Sequence, residues 1–84
     1  MVYRLFYTKR AVNDIAKLDL VVKKRIGKKL LLYAQNPLKY ATKLTDYTIG
    51  TYRFRIGDYR VIFDLKGRDI IVLRLGHRKD IYRQ

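Results

Sequence analysis

The sequence predicts an α+β fold: a mainly antiparallel sheet with an N-terminal strand, packed against a two-helix hairpin, in the order β-α-α-β-β-β. Three observations predict it. Residues 2–7 (VYRLFY) are dense in β-branched and aromatic side chains. From Thr8 to about Ala34 the apolar residues recur at helical spacing. From Thr51 onward their period switches to two.

Val2 to Tyr7 reads as a strand. Thr8 then caps a helix, with Tyr7 and Val12 placed for a hydrophobic staple. Val12, Ile15 and Ala16 form that helix's apolar stripe. Asp19 caps a second helix that runs to about Ala34 and is ended by Asn36-Pro37. Its stripe is Val22, Ile26, Leu30 and Tyr33, with Lys23, Lys24, Arg25, Lys28 and Lys29 lying away from it. The break between the helices is short, so they form an antiparallel hairpin. Leu38 to Gly50 carries no clear period.

The Gly57-Asp58 pair suits a two-residue type II′ turn, with Gly at the first central position. That turn sets Ile56 opposite Tyr59, Arg55 opposite Arg60 and Phe54 opposite Val61. One face of the hairpin then holds Tyr52, Phe54, Ile56, Tyr59, Val61 and Phe63 and must meet the helices. The other holds Arg53, Arg55, Arg60 and Ile62. A last strand covers about Asp69 to Leu75. A left-handed Gly67 in a three-residue loop gives a G1 bulge and turns Ile71, Leu73 and Leu75 to the core, with Arg74 on the basic face. A two- or four-residue loop would flip this and bury Arg74. The first is preferred because it places three apolar residues inside.

The 84 residues suffice for one domain, residues 1–84, and the 49% hydrophobic content argues against disorder. There is no cysteine. That excludes a disulfide framework, a thiol nucleophile and a cysteine-ligated zinc, and fits a cytoplasmic location. No stretch is long and apolar enough for a membrane span, and Met1 to Tyr7 is too short and polar for a signal peptide. Lys and Arg number 20 against 7 acids, all Asp, for a formal charge of +13. Such imbalance opposes folding through self-repulsion and points to a polyanion: nucleic acid, foremost RNA, an anionic membrane surface or an acidic protein. Asp14, Asp19 and Asp58 have cap or turn explanations, and no acidic pair has metal-ligand spacing. No metal or cofactor is therefore expected.

Arg55 against Arg60 is a like-charge pair, destabilising by roughly 0.2–1 kcal/mol. Asp58 and Asp64 offer partial relief, and a bound phosphate, gripped by the bidentate guanidinium fork, offers more. His77, Arg78 and Tyr82 follow the last strand and can reach the rim of the same face. The expected picture is a shallow groove in which arginines hold phosphates and Tyr stacks on bases. Lys24 and Lys28, on the basic side of the second helix, add long-range attraction to RNA.

The segments YRFRIGDYRVIF (Tyr52–Phe63) and VLRLGHRKDIY (Val72–Tyr82), with the helices ending at Lys17-Leu18-Asp19 and Asn36-Pro37, resemble the RelE/ParE toxin superfamily over essentially the whole chain. The resemblance implies the fold already reached. It also implies a RelE-type toxin of a type II toxin–antitoxin pair, an endoribonuclease that cuts mRNA in the ribosomal A site, near 16S rRNA, and is held in check by a cognate acidic antitoxin. The alternatives are a ParE-like DNA gyrase poison without RNase activity and an inactive RNA-binding relic. By position, Arg53 and Arg55 match two basic residues of the family's second strand, commonly Lys there. Arg60 matches the Arg of the following strand. Arg78 matches the basic or imidazole residue after the last strand, and Tyr82 the aromatic that stacks on the substrate base. The chain stops at Gln84, without the C-terminal helix of longer members, and has no counterpart to a catalytic Glu.

The implied chemistry needs no metal: the RNA's own 2′-OH attacks the adjacent phosphate. It requires positive charge on that phosphate, a base for the 2′-OH and an acid for the leaving oxygen. Arg55, Arg60 and Arg78 can supply the first, with Arg53 and Arg74 holding RNA alongside. Guanidinium is a poor proton carrier, so Tyr82 and His77 are the candidates for proton transfer.

Overall fold

The computed structural model describes residues 2–46 and 48–82. The expected end of the chain at Gln84 lies outside them. Strand β1 (Arg4–Tyr7) leads into helix α1 (Lys9–Ala16) and helix α2 (Leu20–Tyr33). A one-turn helix α3 (Pro37–Tyr40) and a two-residue strand β2 (Thr42–Lys43) occupy part of the stretch in which no period was legible. Strands β3 (Tyr52–Ile56), β4 (Tyr59–Lys66) and β5 (Asp69–His77) complete the chain. The sheet order is β1-β5-β4-β3-β2, with β1 parallel to β5 and every other pair antiparallel.

The helix starts follow their caps. The Ala11 N–H donates to Thr8 Oγ1 at 3.1 Å, and the Val22 N–H to Asp19 Oδ1 at 3.0 Å. Along α2, Ile26 and Leu30 are buried and Val22 and Tyr33 pack beside them, as the spacing predicts. On α1 the stripe is rotated from its expected position. Ala11 is buried and Ile15 packs on the core, whereas Val12 is 53% exposed. The core between helices and sheet holds Phe54, Ile56, Val61, Phe63, Ile70, Val72 and Leu75.

The β3–β4 register agrees with the sequence: Ile56 pairs with Tyr59, Arg55 with Arg60 and Phe54 with Val61. Gly57 sits at φ 59° while Asp58 is not left-handed, the type II′ signature. The next turn departs from expectation. Lys66 pairs with Asp69, so Gly67 and Arg68 form a two-residue loop, Gly67 again taking the left-handed first position at φ 60°. The bulge lies further along. Phe63 pairs with Val72 but Ile62 with Arg74, leaving Leu73 as the extra residue. Ile70 and Val72 therefore face the core in place of Ile71 and Leu73, and Leu75 regains the core side only because the bulge resets the parity. Arg74 is not buried: it shares the Ile62 side of the sheet at its edge.

A second apolar cluster lies on that side. Ile62 and Leu73 are covered by Leu44 and Ile49 from the β2–β3 connection and by Ile81 from the C-terminal turn. Gly50 makes this cover possible. A Cβ there would lie 2.5 Å from Ile62 Cγ2 and 3.0 Å from Leu73 Cδ1, and its φ of 151° disfavours any side chain.

Candidate functional site

The open face of the sheet carries the arginines. Cross-strand partners share a face, so Arg53 and Arg55 on β3 stand with Arg60 on β4, as expected. Arg55 is exposed, Arg53 half-buried and Arg60 buried. Arg60 curls toward the β3–β4 turn, where its Nη1 donates to the carbonyls of Gly57 and Tyr59, both at 2.9 Å. Burial, then the charges of Arg55 and Arg53, and more weakly Arg78, push the Arg60 pKa below its ordinary value; Tyr82 acts the other way. Those influences place four guanidinium groups and one phenol in a single electrostatic neighbourhood.

The tail reaches this cluster through two anchors. The Arg78 N–H donates to the Asp58 carbonyl at 2.7 Å, and Arg78 Nε stands 3.6 Å from the Asp58 carboxylate. Ile81 inserts into the second apolar cluster and seats Tyr82 beside it. The Tyr82 hydroxyl then accepts a 2.8 Å hydrogen bond from Arg53 Nη1. Arg53 Nε is buried without a hydrogen-bond partner among the described residues. Asp64 does not relieve the arginines. Its Oδ1 accepts from the Thr51 N–H at 2.9 Å and the Thr51 hydroxyl at 2.8 Å, anchoring the start of β3.

His77 does not join this cluster. It pairs with Tyr59, a residue of the helix-side core, and its ring meets the Tyr59 ring edge-on at 5.5 Å. His77 Nδ1 accepts from the Lys79 N–H at 3.1 Å. The imidazole lines a hollow with Asp14, Lys17, Arg74 and Asp80, which Tyr82 does not line. The expectation that His77, Arg78 and Tyr82 share one rim is corrected: strand alternation sends His77 to the opposite face.

Arg74 lines the groove's outer edge and is tied to α1. Its Nε donates to Asp14 Oδ2 at 2.8 Å, and the Leu75 N–H donates to the same oxygen at 3.0 Å. Asp14 is thus neither a helix cap nor a turn residue. It closes the free edge of β5 where β1 has ended, and Thr8 does the same one step earlier by donating its hydroxyl to the Leu73 carbonyl at 3.0 Å. Partial burial is the largest single influence on Asp14 and raises its pKa; the hydrogen bonds from Arg74 and Leu75, joined by the charges of Arg74 and Lys17, together outweigh it and leave the carboxyl below its ordinary value. Lys24 and Lys28 are exposed on α2, the helix packed on the core face of the sheet. No group of three or more metal-ligating side chains converges among the described residues. No described helix is long and apolar enough to cross a membrane.

Sequence reasoning did not single out Arg10, Asp14, Gly50 or Ile81 for the site. Asp14 had a signal: a short acidic side chain inside a helix of high basic content. Gly50, a lone glycine just before an alternating strand, had another.

Fold and groove together define a small basic α+β domain whose open sheet face gathers four arginines beside a tyrosine that one of them holds. Residues 5–82 match the family model of the ParE toxin of type II toxin–antitoxin systems, parDE. The chain is 32% identical to Toxin RelE3 of Methanocaldococcus jannaschii, over 94% of each chain. It is 31% identical to Toxin RelG of Mycobacterium tuberculosis, over the full length of both. Among solved structures, it superposes with a TM-score of 0.84 on a chain of the RelBE2 toxin–antitoxin complex of Mycobacterium tuberculosis, at 24% identity over 95% of both chains. The RelB–RelE antitoxin–toxin complex of Methanococcus jannaschii gives a TM-score of 0.73 at 30% identity, over 93% of this chain and 95% of that one. The chain belongs to the RelE/ParE family of type II toxin–antitoxin toxins.

Proposed function

We propose that this toxin is a ribosome-dependent endoribonuclease of the cytoplasm that cuts mRNA in the A site, and that an acidic antitoxin occupies the same groove to silence it. The observation that carries the reading is the Tyr82 hydroxyl held by Arg53 inside the cluster of Arg55, Arg60 and Arg78. The names RelE3 and RelG of its relatives support the RNA-cutting branch over the gyrase-poisoning one. That solved relatives were captured with RelB antitoxins supports the partner.

In the proposed reaction the 2′-oxygen bonds to the adjacent phosphorus and the 5′-oxygen leaves. The products are a 2′,3′-cyclic phosphate and a 5′-hydroxyl end. Arg60, fixed by two carbonyls, and exposed Arg55 and Arg78 stabilise the charge that gathers on the phosphoryl oxygens. Tyr82 exchanges a proton at its hydroxyl oxygen and stacks on a base. Tyr82 protonates the leaving 5′-oxygen, solvent water takes the 2′-OH proton and the phenolate is reprotonated from solvent, since among the described residues no imidazole faces Tyr82. The reaction therefore relies on the ribosome to hold the mRNA in an attack-ready geometry.

The test is primer extension on mRNA in a reconstituted translation reaction, with an Arg78→Ala, Tyr82→Ala double variant alongside. Cuts within A-site codons that vanish in the variant are expected. Intact mRNA with the native toxin would overturn the reading, as would rapid multiple turnover on naked RNA.

A further inference from the structure

Tyr82 divides the groove into two hollows, and they differ in charge. On one side, a hollow of about 250 Å³ is lined by Leu44, Thr45, Asp46, Ile49 and Arg53. On the other, a hollow of about 450 Å³ has an apolar floor of Ile62, Leu73 and Ile81, with Arg10 and Thr48 at its rim. The larger volume lies in the range of small-ligand sites. A strand whose scissile phosphate rests on Arg55, Arg60 and Arg78 passes Tyr82 and continues into one hollow or the other.

We propose that the larger hollow is a nucleotide subsite, taking the base next to the cut against the Tyr82 ring and the apolar floor, with the following phosphate on Arg10. The proposal rests on the RNA-cutting reading and adds a residue and a specificity element to it. Three features carry it. Arg10 is exposed and has no ion pair or hydrogen bond among the described residues, so its guanidinium is available to an incoming anion. Arg74, the other cation of the hollow, is already matched by Asp14 at 2.8 Å, which leaves Arg10 as the uncompensated charge there. The smaller hollow has no surplus positive charge: Arg53 is offset there by the Asp46 carboxylate, which accepts from the Thr48 N–H at 3.0 Å and the Thr48 hydroxyl at 2.7 Å.

The floor's accessible surface is the half-buried Leu73, backed by Ile62 at 1% exposed and Ile81 at 5%, with Gly50 passing close over Ile62 and Leu73. The fit of a base between Leu73 and the Tyr82 ring therefore sets which bases the hollow takes.

The experiment is an NMR titration of the ¹⁵N-labelled toxin with a 5′-phosphorylated 2′-O-methyl RNA trinucleotide, which lacks the attacking hydroxyl. Amide shifts are expected at Arg10, Thr48, Ile49 and Leu73. Arg10→Gln should weaken binding by roughly 3–10-fold and reduce the slope of log affinity against log salt by about 0.7, one phosphate contact on a single strand. Lys9→Gln removes the same charge from the same helical turn outside the hollow and should leave the slope nearly unchanged. In the translation reaction, Arg10→Gln should slow cutting at all codons alike. Shifts confined to the Asp46 side, or equal losses from Lys9→Gln and Arg10→Gln, would overturn the subsite. If the native toxin left ribosomal mRNA intact while the trinucleotide still bound at Arg10, the cleavage reading would fall and the subsite would stand as an RNA-binding one.

Discussion

Replacing Asp14 tests how the groove is held to the rest of the molecule. Three donors converge on its carboxylate: Arg74 Nε at 2.8 Å, Arg74 Nη2 at 3.4 Å and the Leu75 N–H at 3.0 Å. The Asp14 side chain is 12% exposed and that of Arg74 26%, so solvent screens the pair only in part. Hydrogen bonds to charged groups contribute roughly 1.5–3 kcal/mol each. Two good ones, discounted for that exposure, give about 3 kcal/mol lost in Asp14→Ala. For a domain of this size that lowers Tm by roughly 12–24 °C. Asp14→Asn keeps the shape and removes the charge, so it should lose about half as much. The sign of the pH dependence follows from the depressed pKa of Asp14. Its contribution is complete above the unfolded carboxylate value, near pH 4, and drains away as pH falls through the lower folded value. Thermal melts of the native toxin and Asp14→Asn should differ at pH 7 and converge progressively below pH 4. A gap that stays constant or widens down to pH 3 would refute the reasoning, as would an Asp14→Ala variant melting within a few degrees of the native chain.

Three further outcomes are expected. Gly50→Ala forces a methyl to 2.5 Å from Ile62 Cγ2 and should destabilise by about 2–4 kcal/mol, read as a lower urea midpoint; an unchanged midpoint would mean that the connection re-seats freely. Arg55→Thr removes the like charge facing Arg60 and should raise stability by roughly 0.2–1 kcal/mol while slowing A-site cleavage, so a loss of stability would contradict a site maintained at the fold's expense. Tyr82→Phe should slow cleavage by about 10²-fold, whereas His77→Ala, on the opposite face, should leave the rate within the same order of magnitude; the reverse ranking would restore His77 as the proton carrier.

What the sequence disclosed depended on how local the cause was. The Gly57 turn sets its register within four residues, so the pairing of Arg55 with Arg60 could be read directly. The caps at Thr8 and Asp19 were legible for the same reason. The β4–β5 hairpin was not. A two-residue loop and a later bulge at Leu73 shift parity twice, and a single alternation pattern cannot show where the second shift falls. The strand at the bulge is held from outside, by Thr8, the cap of α1, and by Asp14 within it, 65 and 61 residues away in sequence. The second apolar cluster was hidden likewise, because Leu44, Ile49 and Ile81 come from segments without periodicity and meet only in the folded chain. The groove's arginines were legible because strand alternation fixes them; Arg10 was not, because a helix rim enters the site through tertiary packing alone.

The charge distribution explains why such a site coexists with a stable fold. Of the cations nearest the reaction centre, Arg78 has one exposed acidic partner at 3.6 Å, and Arg60 is answered by backbone carbonyls rather than a counter-ion. The acids are used elsewhere: Asp14 on the β5 edge, Asp64 at the start of β3, Asp69 on Arg4 at 3.0 Å. Concentrating uncompensated guanidinium groups on one face raises the free energy of the empty toxin and lowers that of any state in which phosphates or carboxylates fill the groove. Under the proposed function, substrate and antitoxin are favoured by the same deficit. An acidic segment that satisfies Arg53, Arg55 and Arg60 should stabilise the toxin against heat as it inhibits, and both effects should weaken together as salt rises.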